Sequence, residues 1–233
     1  MNAHIRHSLM AVMAVAACRR SSAEPRRERM VRNQIEARGV TNAAVLAAMR
    51  TVPRHEFVPG SLSLVAYTDS PLPIGHGQTI SQPYIVALMT ELLRLKTGDK
   101  VLEVGTGSGY QAAVLAEIGA EVYTIEIIEP LAKSAADRLK RLGYGKVQVK
   151  FGDGFLGWPE HAPFDAILVA CAADPIPEPL IKQLKPGGRL VIPEGKPLSE
   201  QWLVLVEKTS DGKFNRQKVL PVAFVPLTRE LKR

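Results

Sequence analysis

Short apolar runs alternate with segments of helical periodicity over most of the chain. The apolar runs are typical of buried strands, and they span 101–104, 121–126, 147–149, 164–169 and 189–192. Apolar residues at helical spacing predict helices over 111–118, 130–142 and 179–184, and a turn is predicted at 185–188. Because strands that alternate with helices form parallel βαβ units, the pattern predicts an α/β fold with a doubly wound, mostly parallel sheet.

The two ends of the chain depart from this alternation. Near the N-terminus, helical patterns over 29–39 and 42–49 predict a helical lobe, with Thr41 as the cap of the second helix. A polar, proline-rich loop then extends to Gly77, and a further helix opens at Pro83. At the C-terminus, strands over 201–207 and 218–222 predict an antiparallel pair joined by a turn at 210–213.

The stretch that follows the first core strand carries the clearest chemical signal. Gly105, Gly107 and Gly109 succeed the apolar run 101–104 at every second position, and a helix follows them. Glycine lets the backbone approach a ligand closely, and N–H groups at the start of a helix favour an anion or a nucleotide. A tight turn between packed elements is the alternative, since the spacing differs from the G-x-G-x-x-G of a nicotinamide site.

An acidic residue, Glu126, ends the next apolar run and lies 21 positions after Gly105. A carboxylate near this offset accepts hydrogen bonds from ribose hydroxyls, whereas a solvated strand end is the alternative interpretation. In a doubly wound sheet the turns after successive parallel strands converge on one edge. These turns carry Gly105–Gly109, Glu126, Asp153 and 170–173, which together predict an adenosine site.

Composition narrows the function classes. The chain has 233 residues, of which 46% are hydrophobic, enough for one large domain with a substantial core. Residues 1–29 hold six arginines against two glutamates, so only three of the seven net positive charges belong to the remainder. That mild excess argues against a dedicated nucleic-acid-binding protein. The two cysteines, Cys18 and Cys171, indicate neither a disulfide framework nor a metal cluster, and no metal is expected.

Residues 1–25 form an extension of different character. Arg6 and His7 precede an apolar run over 9–18, which is shorter than the roughly 20 residues of a membrane span. Val15–Cys18 loosely resembles a lipoprotein cleavage box, so an export signal and a periplasmic location form one interpretation. The arginines that follow argue against it, and an upstream start codon with the folded part opening near Met30 is the other. We expect a cytoplasmic location.

Two motifs resemble the class I S-adenosylmethionine-dependent methyltransferases. Glu103–Tyr110, which reads EVGTGSGY, resembles their nucleotide-binding motif, and Leu184–Leu190, which reads LKPGGRL, resembles the turn before their fifth strand. Longer stretches are similar to the bacterial form of the protein-L-isoaspartate O-methyltransferase family, and these are 48–59, 67–69, 72–84 and 190–195. The run QTISQPY at Gln78–Tyr84 is particular to that family, and the similarity extends from about Met30 to Leu227.

The resemblance implies an activity and a division of the chain. The activity is methylation of the free α-carboxylate of L-isoaspartyl residues in damaged proteins, with S-adenosyl-L-methionine as methyl donor and S-adenosyl-L-homocysteine as product. The ester then closes to a succinimide, which partly reopens to aspartate. Residues 26–233 would form one methyltransferase domain, with a helical lobe and substrate loop over 26–80 and a cofactor-binding core with C-terminal strands over 81–233. We expect a monomer that binds isoaspartyl peptides, with no nucleic-acid or stable membrane partner.

The same resemblance implies roles for individual residues. Ser81 matches the active-site serine, and the substrate cleft would comprise Thr79, Ser81, Val225 and Leu227. The cofactor-binding residues would be Glu103, Gly105, Thr106, Gly107, Ser108, Gly109, Glu126, Asp153 and Gly154. From spacing alone, however, a structural helix cap is the favoured interpretation of Ser81, because serine is a preferred capping residue.

Three other functions remain open at this point. A nucleic-acid methyltransferase would carry Asp/Asn-Pro-Pro-Tyr or a Pro-Cys-Gln nucleophile after the fourth strand, where this chain has Ala170–Ala173, and Cys171 in such apolar company is typical of a core residue. A non-catalytic interaction module is a second alternative, against which the intact glycines, Glu126 and Ser81 argue. A small-molecule methyltransferase leaves the family-specific stretches unexplained.

Overall fold

The computed structural model of the chain describes residues 25–196 and 199–231, so the N-terminal extension lies outside it. The first described residues form one irregular helical segment, in which 25–30 are α-helical. A π-helical turn, Val31–Ile35, and a 3₁₀ turn, Glu36–Arg38, continue it. The segment ends at Gly39, as the pattern over 29–39 predicts. Gly39 has a φ of 91°, a left-handed conformation that favours glycine at the end of a helix.

Helix α1, Ala43–Thr51, follows after a short turn. Its cap is Asn42, whose side-chain oxygen accepts the backbone N–H groups of Ala44 and Val45. The prediction that Thr41 caps this helix is therefore wrong. The backbone N–H of Thr41 donates to the Glu91 carboxylate. The side-chain amide of Asn42, not the Thr41 hydroxyl, therefore reaches the free N–H groups of the first turn.

The segment predicted as a loop up to Gly77 contains more structure than expected. Two short antiparallel strands, β1 (Leu72–Gly75) and β2 (Gln78–Ile80), form a hairpin in which Leu72 pairs with Ile80. Proline in the first strand and glycine on both sides of the tip hide its periodicity in the sequence. The hairpin brings residues 77–81 over the edge of the main sheet.

Helix α2, Pro83–Leu93, begins directly after the hairpin with proline in its first turn, as predicted. Its N-cap position is occupied by Gln82, and no side chain caps it. The capping interpretation of Ser81 is therefore wrong. Its hydroxyl makes no hydrogen bond to the described residues, which leaves it available to a ligand.

A seven-stranded sheet forms the centre of the fold. Its strands are β3 (Lys100–Val104), β4 (Glu121–Glu126), β5 (Gln148–Phe151), β6 (Phe164–Val169), β7 (Leu184–Glu194), β8 (Gln201–Lys208) and β9 (Phe214–Val222). They lie in the order β5-β4-β3-β6-β7-β8-β9. The first five in chain order pair in parallel, whereas β8 pairs antiparallel with both of its neighbours. The structure confirms the predicted mostly parallel sheet and the C-terminal antiparallel pair.

Helices cover both faces of this sheet. They are α3 (Tyr110–Glu117), α4 (Glu129–Arg141) and α5 (Glu178–Lys182). Successive residues of β3 serve opposite cores: Val101 packs in one core with Tyr110 and Leu139, and Leu102 packs in the other with Leu180. A strand buried on both faces reads as a continuous apolar run, which is why β3 was recognisable in the sequence.

The predicted turn at 185–188 lies inside β7 instead of before it. The register changes from Phe164 opposite Leu184 to Ala166 opposite Arg189, so the intervening residues form a bulge. Lys185 holds the bulge against β6 through an ion pair of 2.7 Å with Asp165. The predicted strand over 189–192 is thus only the central part of a longer one.

The order of the strands in the sheet locates its functional edge. From β3 the chain moves outward through β4 to β5, and it then returns to the opposite side of β3 as β6. The topological switch therefore lies between β3 and β6, where the turns after both strands diverge and leave a crevice. None of the described helices is long and apolar enough to cross a membrane.

Candidate functional site

The glycine loop after β3 is held in shape by its own hydrogen bonds. The Gly105 N–H donates to the carbonyl of Ile125 at 2.8 Å, and the Gly109 N–H donates to the carbonyl of Thr106 at 2.8 Å. Gly107 adopts a φ of 53°, and a Cβ there would lie 3.3 Å from Ile74 of the hairpin. Glycine is therefore required at this position both by backbone conformation and by the closeness of the hairpin.

The Glu126 carboxylate lies beside this loop and is 5% exposed. One oxygen accepts the Gly107 N–H at 2.8 Å, and the other accepts the Ile128 N–H at 3.0 Å. Burial raises the pKa of Glu126, while these two donors lower it. An ionised carboxylate has about four acceptor positions, so each oxygen can still accept a hydroxyl.

A cavity of about 240 Å³ opens between the glycine loop, the hairpin and the C-terminal segment. Seven of the nine predicted cofactor residues line it: Glu103, Gly105, Thr106, Gly107, Ser108, Glu126 and Gly154. All four predicted substrate residues line it as well: Thr79, Ser81, Val225 and Leu227. The structure thus brings together residues from five separate parts of the sequence.

The other two predicted cofactor residues lie behind the cavity wall. Gly109 occupies the N-cap position of α3, where a Cβ would lie 3.2 Å from Leu139. Asp153 accepts the Phe155 N–H at 2.9 Å and forms an ion pair of 3.1 Å with Arg229. Asp153 therefore shapes the turn after β5, and its predicted contact with the adenine stays a prediction.

Glu103 is the most unusual group at this site. Its side chain is 0% exposed, and neither carboxylate oxygen has a hydrogen-bond partner among the described residues. Burial raises the pKa of Glu103 to about 8; the nearby Thr124 hydroxyl partly offsets this effect, and the Glu126 charge adds a smaller increase. The group is therefore largely protonated at neutral pH and would ionise if a cation entered the cavity.

A second depression, a groove of about 460 Å³, adjoins the cavity. The two share the lining residues Thr79, Ser81, Ala170 and Val225. The remainder of the groove is mostly apolar and is formed by α2, the segment before β1 and residues 220–225. Ser81 therefore stands at the junction of the cavity, which two acidic side chains line, and the groove, which neither of them lines.

The C-terminal wall of the site is fastened to the end of β6. The Ala172 N–H donates to Val225 at 2.8 Å, and the Leu227 N–H donates to Ala172 at 2.7 Å. The Gln201 side chain adds two further bonds, accepting the Phe224 N–H at 2.7 Å and donating to its carbonyl at 3.2 Å. These contacts fix residues 224–227 opposite Ser81 although they lie far along the chain.

Some lining residues were not identified from the sequence. Tyr110 and Gln111 line the cavity, and Arg38 lines the groove. Tyr110 and Gln111 follow the glycine motif directly, so their proximity could have been inferred from it. Arg38 carries no local signal, since it reaches the groove only through the packing of the N-terminal segment.

Cys171 does not have the surroundings of a nucleophile. It is 7% exposed, and burial raises the pKa of its thiol well above the ordinary range, with Glu126 adding to the effect. The thiol is therefore protonated at neutral pH, which disfavours the cytosine-methylating alternative. Within residues 25–196 and 199–231, no group of three His, Cys, Asp or Glu side chains could hold a metal ion.

Comparison with known proteins gives a consistent result. The model of the protein-L-isoaspartate(D-aspartate) O-methyltransferase family matches residues 25–232. A protein-L-isoaspartate O-methyltransferase 1 from Nitrosospira multiformis is 63% identical over 206 residues, which cover 88% of this chain and 87% of the relative. A protein-L-isoaspartate O-methyltransferase from Opitutus terrae is 61% identical over 204 residues, with coverage of 88% and 87%.

Solved structures agree with the sequence relatives. A protein-L-isoaspartate O-methyltransferase matches with a TM-score of 0.78 and 32% identity, covering 88% of this chain and 67% of that chain. A Plasmodium falciparum structure described as a β-aspartate methyltransferase in complex with S-adenosyl-L-homocysteine matches with a TM-score of 0.75 and 24% identity. It covers 88% of this chain and 99% of that chain, and at this identity it supports the fold alone.

Proposed function

Because the chain belongs to the protein-L-isoaspartate(D-aspartate) O-methyltransferase family, we propose that it transfers a methyl group to the α-carboxylate of L-isoaspartyl residues. The enzyme is S-adenosylmethionine-dependent, and its substrates are proteins and peptides that contain this damaged residue. The observation that carries the proposal is the junction at Ser81, where the cavity beside the glycine loop meets the groove. A peptide in the groove can present one carboxylate to the cavity.

The residues of the cavity fit S-adenosylmethionine. Glu126 offers acceptor positions for the two ribose hydroxyls beside the glycine loop. Gly154 lies in the wall of the same cavity, where a Cβ would collide with Val104, so glycine lets the two elements of this wall pack together. Glu103 has two unpartnered oxygens in a cavity that would receive a cationic ligand, and pairing with a cation would satisfy them.

The chain's own contribution to the reaction is positioning. When bound, S-adenosylmethionine supplies a methyl group already activated by its sulfonium charge. The substrate carboxylate has a pKa of about 4, so it is ionised at neutral pH and requires no general base. Ser81 donates its hydroxyl hydrogen to one carboxylate oxygen and so orients the other toward the cavity. Such positioning can contribute about 7–11 kcal/mol at its upper range.

Thr79 and residues 225–227 form the rest of the proposed substrate cleft. Thr79 lies beside Ser81 in the walls of both the cavity and the groove, and Val225 of the C-terminal segment lines them as well. Together they line the junction beside the Ser81 hydroxyl. After methylation the ester leaves the junction. The backbone nitrogen of the following residue then attacks the ester carbonyl, and the methoxy group leaves with the amide proton as methanol, which gives the succinimide without further help from the protein.

We further propose a domain organisation, an oligomeric state and a cellular location for the chain. Residues 26–233 act as one methyltransferase domain, and the chain acts as a monomer in the cytoplasm without a nucleic-acid partner. Residues 1–25 direct the protein to the periplasm if they act as an export signal. Cell fractionation of the full chain, beside a version that starts at Met30, distinguishes these two locations, and gel filtration measures the oligomeric state.

Two synthetic peptides that differ only in one L-isoaspartyl or L-aspartyl residue test the function. The proposal predicts that radiolabel from S-adenosylmethionine enters the isoaspartyl peptide alone and is released by mild base, as an ester requires. Label on neither peptide, with cofactor binding intact in calorimetry, would remove the substrate assignment. Label on DNA, RNA or a small-molecule carboxylate in parallel reactions would favour the corresponding alternative.

A further inference from the structure

One charged side chain lines the groove, among apolar side chains and the uncharged Thr79, Ser81 and Gln82. Of the described residues that line it, Arg38 is the only ionisable one. The acids Glu103 and Glu126 line the adjoining cavity and not the groove. A peptide whose reacting carboxylate lies at Ser81 must therefore continue past a positive charge on the side away from the cofactor.

Two contacts fix the position of the Arg38 guanidinium. Its central carbon lies 3.4 Å from the centre of the Tyr84 ring, and one terminal nitrogen forms an ion pair of 2.9 Å with Asp69. Tyr84 is 8% exposed and belongs to the first turn of α2, so the surface beneath the guanidinium is rigid. The charge is therefore presented at a defined place, and less side-chain entropy is lost when it binds a partner.

The pair with Asp69 leaves most of the guanidinium free. Arginine has five N–H donors in a planar fork, and Asp69 accepts from one nitrogen only. The Arg38 side chain is 44% exposed, so a second carboxylate can reach the unused edge from the groove. Asp69 also weakens the local positive charge, so the attraction for that carboxylate is moderate.

We propose that Arg38 is a specificity-determining residue that favours isoaspartyl substrates with an acidic residue near the isoaspartyl position. The proposal rests on the function proposed above, since it assumes that an isoaspartyl peptide lies in the groove. Its guanidinium donates to the side-chain carboxylate of a Glu or Asp at one position of the bound peptide. A Lys at that position is disfavoured by like charge. Because the pair forms at a partly exposed site, we expect a preference of about threefold to fivefold.

A peptide series tests this assignment. Each peptide contains one isoaspartyl residue among alanines, and Glu, Gln or Lys is placed singly at each of the three positions on either side. The ratio of kcat/KM between the Glu and Gln peptides is measured for each position, which cancels any general loss in a variant. The wild type should favour Glu over Gln at one position, mainly through KM, and added salt should reduce the ratio.

Variants of the two arginines on the same helical segment give the decisive comparison. Arg38→Gln should bring the Glu-to-Gln ratio to about one, and Arg38→Glu should make Lys the favoured residue. Arg32 is exposed and lies outside the groove, and among the described residues its side chain bonds only to Asn33, so Arg32→Gln should keep the wild-type ratio. Asp69→Asn should increase the ratio, since it removes the competing carboxylate.

Two results would overturn the assignment. One is an unchanged Glu-to-Gln ratio in Arg38→Gln. The other is an equal fall in kcat for every peptide with the ratio retained, because Arg38 would then act on the reacting carboxylate itself. Failure of the proposed function looks different, since the wild type would then methylate none of the isoaspartyl peptides.

Discussion

Glu126 and Gly107 are joined by a hydrogen bond of 2.8 Å from the backbone N–H of the glycine to the carboxylate. This bond ties the turn after β4 to the turn after β3, on either side of the place where a ribose would lie. We therefore propose two functions for the carboxylate. It holds the glycine loop in its binding conformation, and it supplies the acceptors that the loop itself lacks.

Replacement of this carboxylate should weaken cofactor binding. In Glu126→Gln, the uncharged side chain offers a single acceptor oxygen, so one of the N–H groups of Gly107 and Ile128 loses its partner. We expect the dissociation constant of S-adenosyl-L-homocysteine to rise by about tenfold or more, which calorimetry measures. Glu129→Gln is the matched control, because Glu129 pairs with Lys133 outside the cavity and should leave the affinity unchanged.

Removal of the Ser81 hydroxyl should affect methyl transfer and spare both folding and cofactor binding. The hydroxyl caps no helix and has no partner among the described residues, so Ser81→Ala should keep the wild-type melting temperature. Loss of a hydrogen bond to an ionised carboxylate corresponds to a fall in kcat/KM of about tenfold to a hundredfold. Steady-state kinetics with an isoaspartyl peptide measures it. A wild-type rate in Ser81→Ala would show that another group holds the carboxylate.

Gly154 in the cavity wall should not tolerate replacement by a larger residue. A Cβ at Gly154 would lie 2.4 Å from a methyl group of Val104, which is buried in the central strand. Gly154→Ala should therefore lower the free energy of unfolding by about 1–3 kcal/mol and narrow the cavity. Urea denaturation measures the first effect and cofactor titration the second. Gly60→Ala is the control, since no atom lies within 4 Å of its Cβ position and its φ is negative.

The buried acid Glu103 should make stability depend on pH. Its pKa is about 8 in the folded protein and about 4.5 in the unfolded chain, so the folded state binds the additional proton between these values. Stability from this group is complete below pH 4.5 and is lost as pH rises toward 8, by at most about 1.4 kcal/mol per pH unit.

Denaturation of wild type and Glu103→Gln at pH 6 and pH 8 measures this dependence. The wild type should lose more stability than the variant over this interval, because glutamine has no proton to lose. Equal losses in the two proteins would show that Glu103 is already ionised at pH 6. Saturating S-adenosyl-L-homocysteine should reduce the difference, since its ammonium group favours the ionised carboxylate.

The central features of the fold were predictable because their signals are local. The run Val101–Val104 is buried on both faces, the glycines follow at once, and Glu126 ends the next strand, so one short stretch identifies strand, loop and helix. Family membership, which the comparisons confirm, was recognisable for the same reason. The particular stretch Gln78–Tyr84 is continuous in the sequence.

Features that depend on tertiary packing were missed. The hairpin Leu72–Ile80 is stabilised by its position over the glycine loop, and its own residues include proline and glycine. Thr41 and Asn42 are both good caps, and the choice between them depends on Glu91, which lies in a different helix. Arg38 reaches the groove because Tyr84 and Asp69 receive it there, and neither is near it in the sequence.

The most direct test of the central claim is to locate the transferred methyl group. A peptide with one isoaspartyl residue, one aspartyl residue and one glutamyl residue is incubated with enzyme and a methyl donor that carries a trideuterated methyl group. Fragmentation in the mass spectrometer then assigns the added mass to a residue. The account predicts labelling of the isoaspartyl α-carboxylate alone, and slower labelling at the same place by Ser81→Ala. Label on the aspartyl or glutamyl side chain, or on a nitrogen, would contradict it.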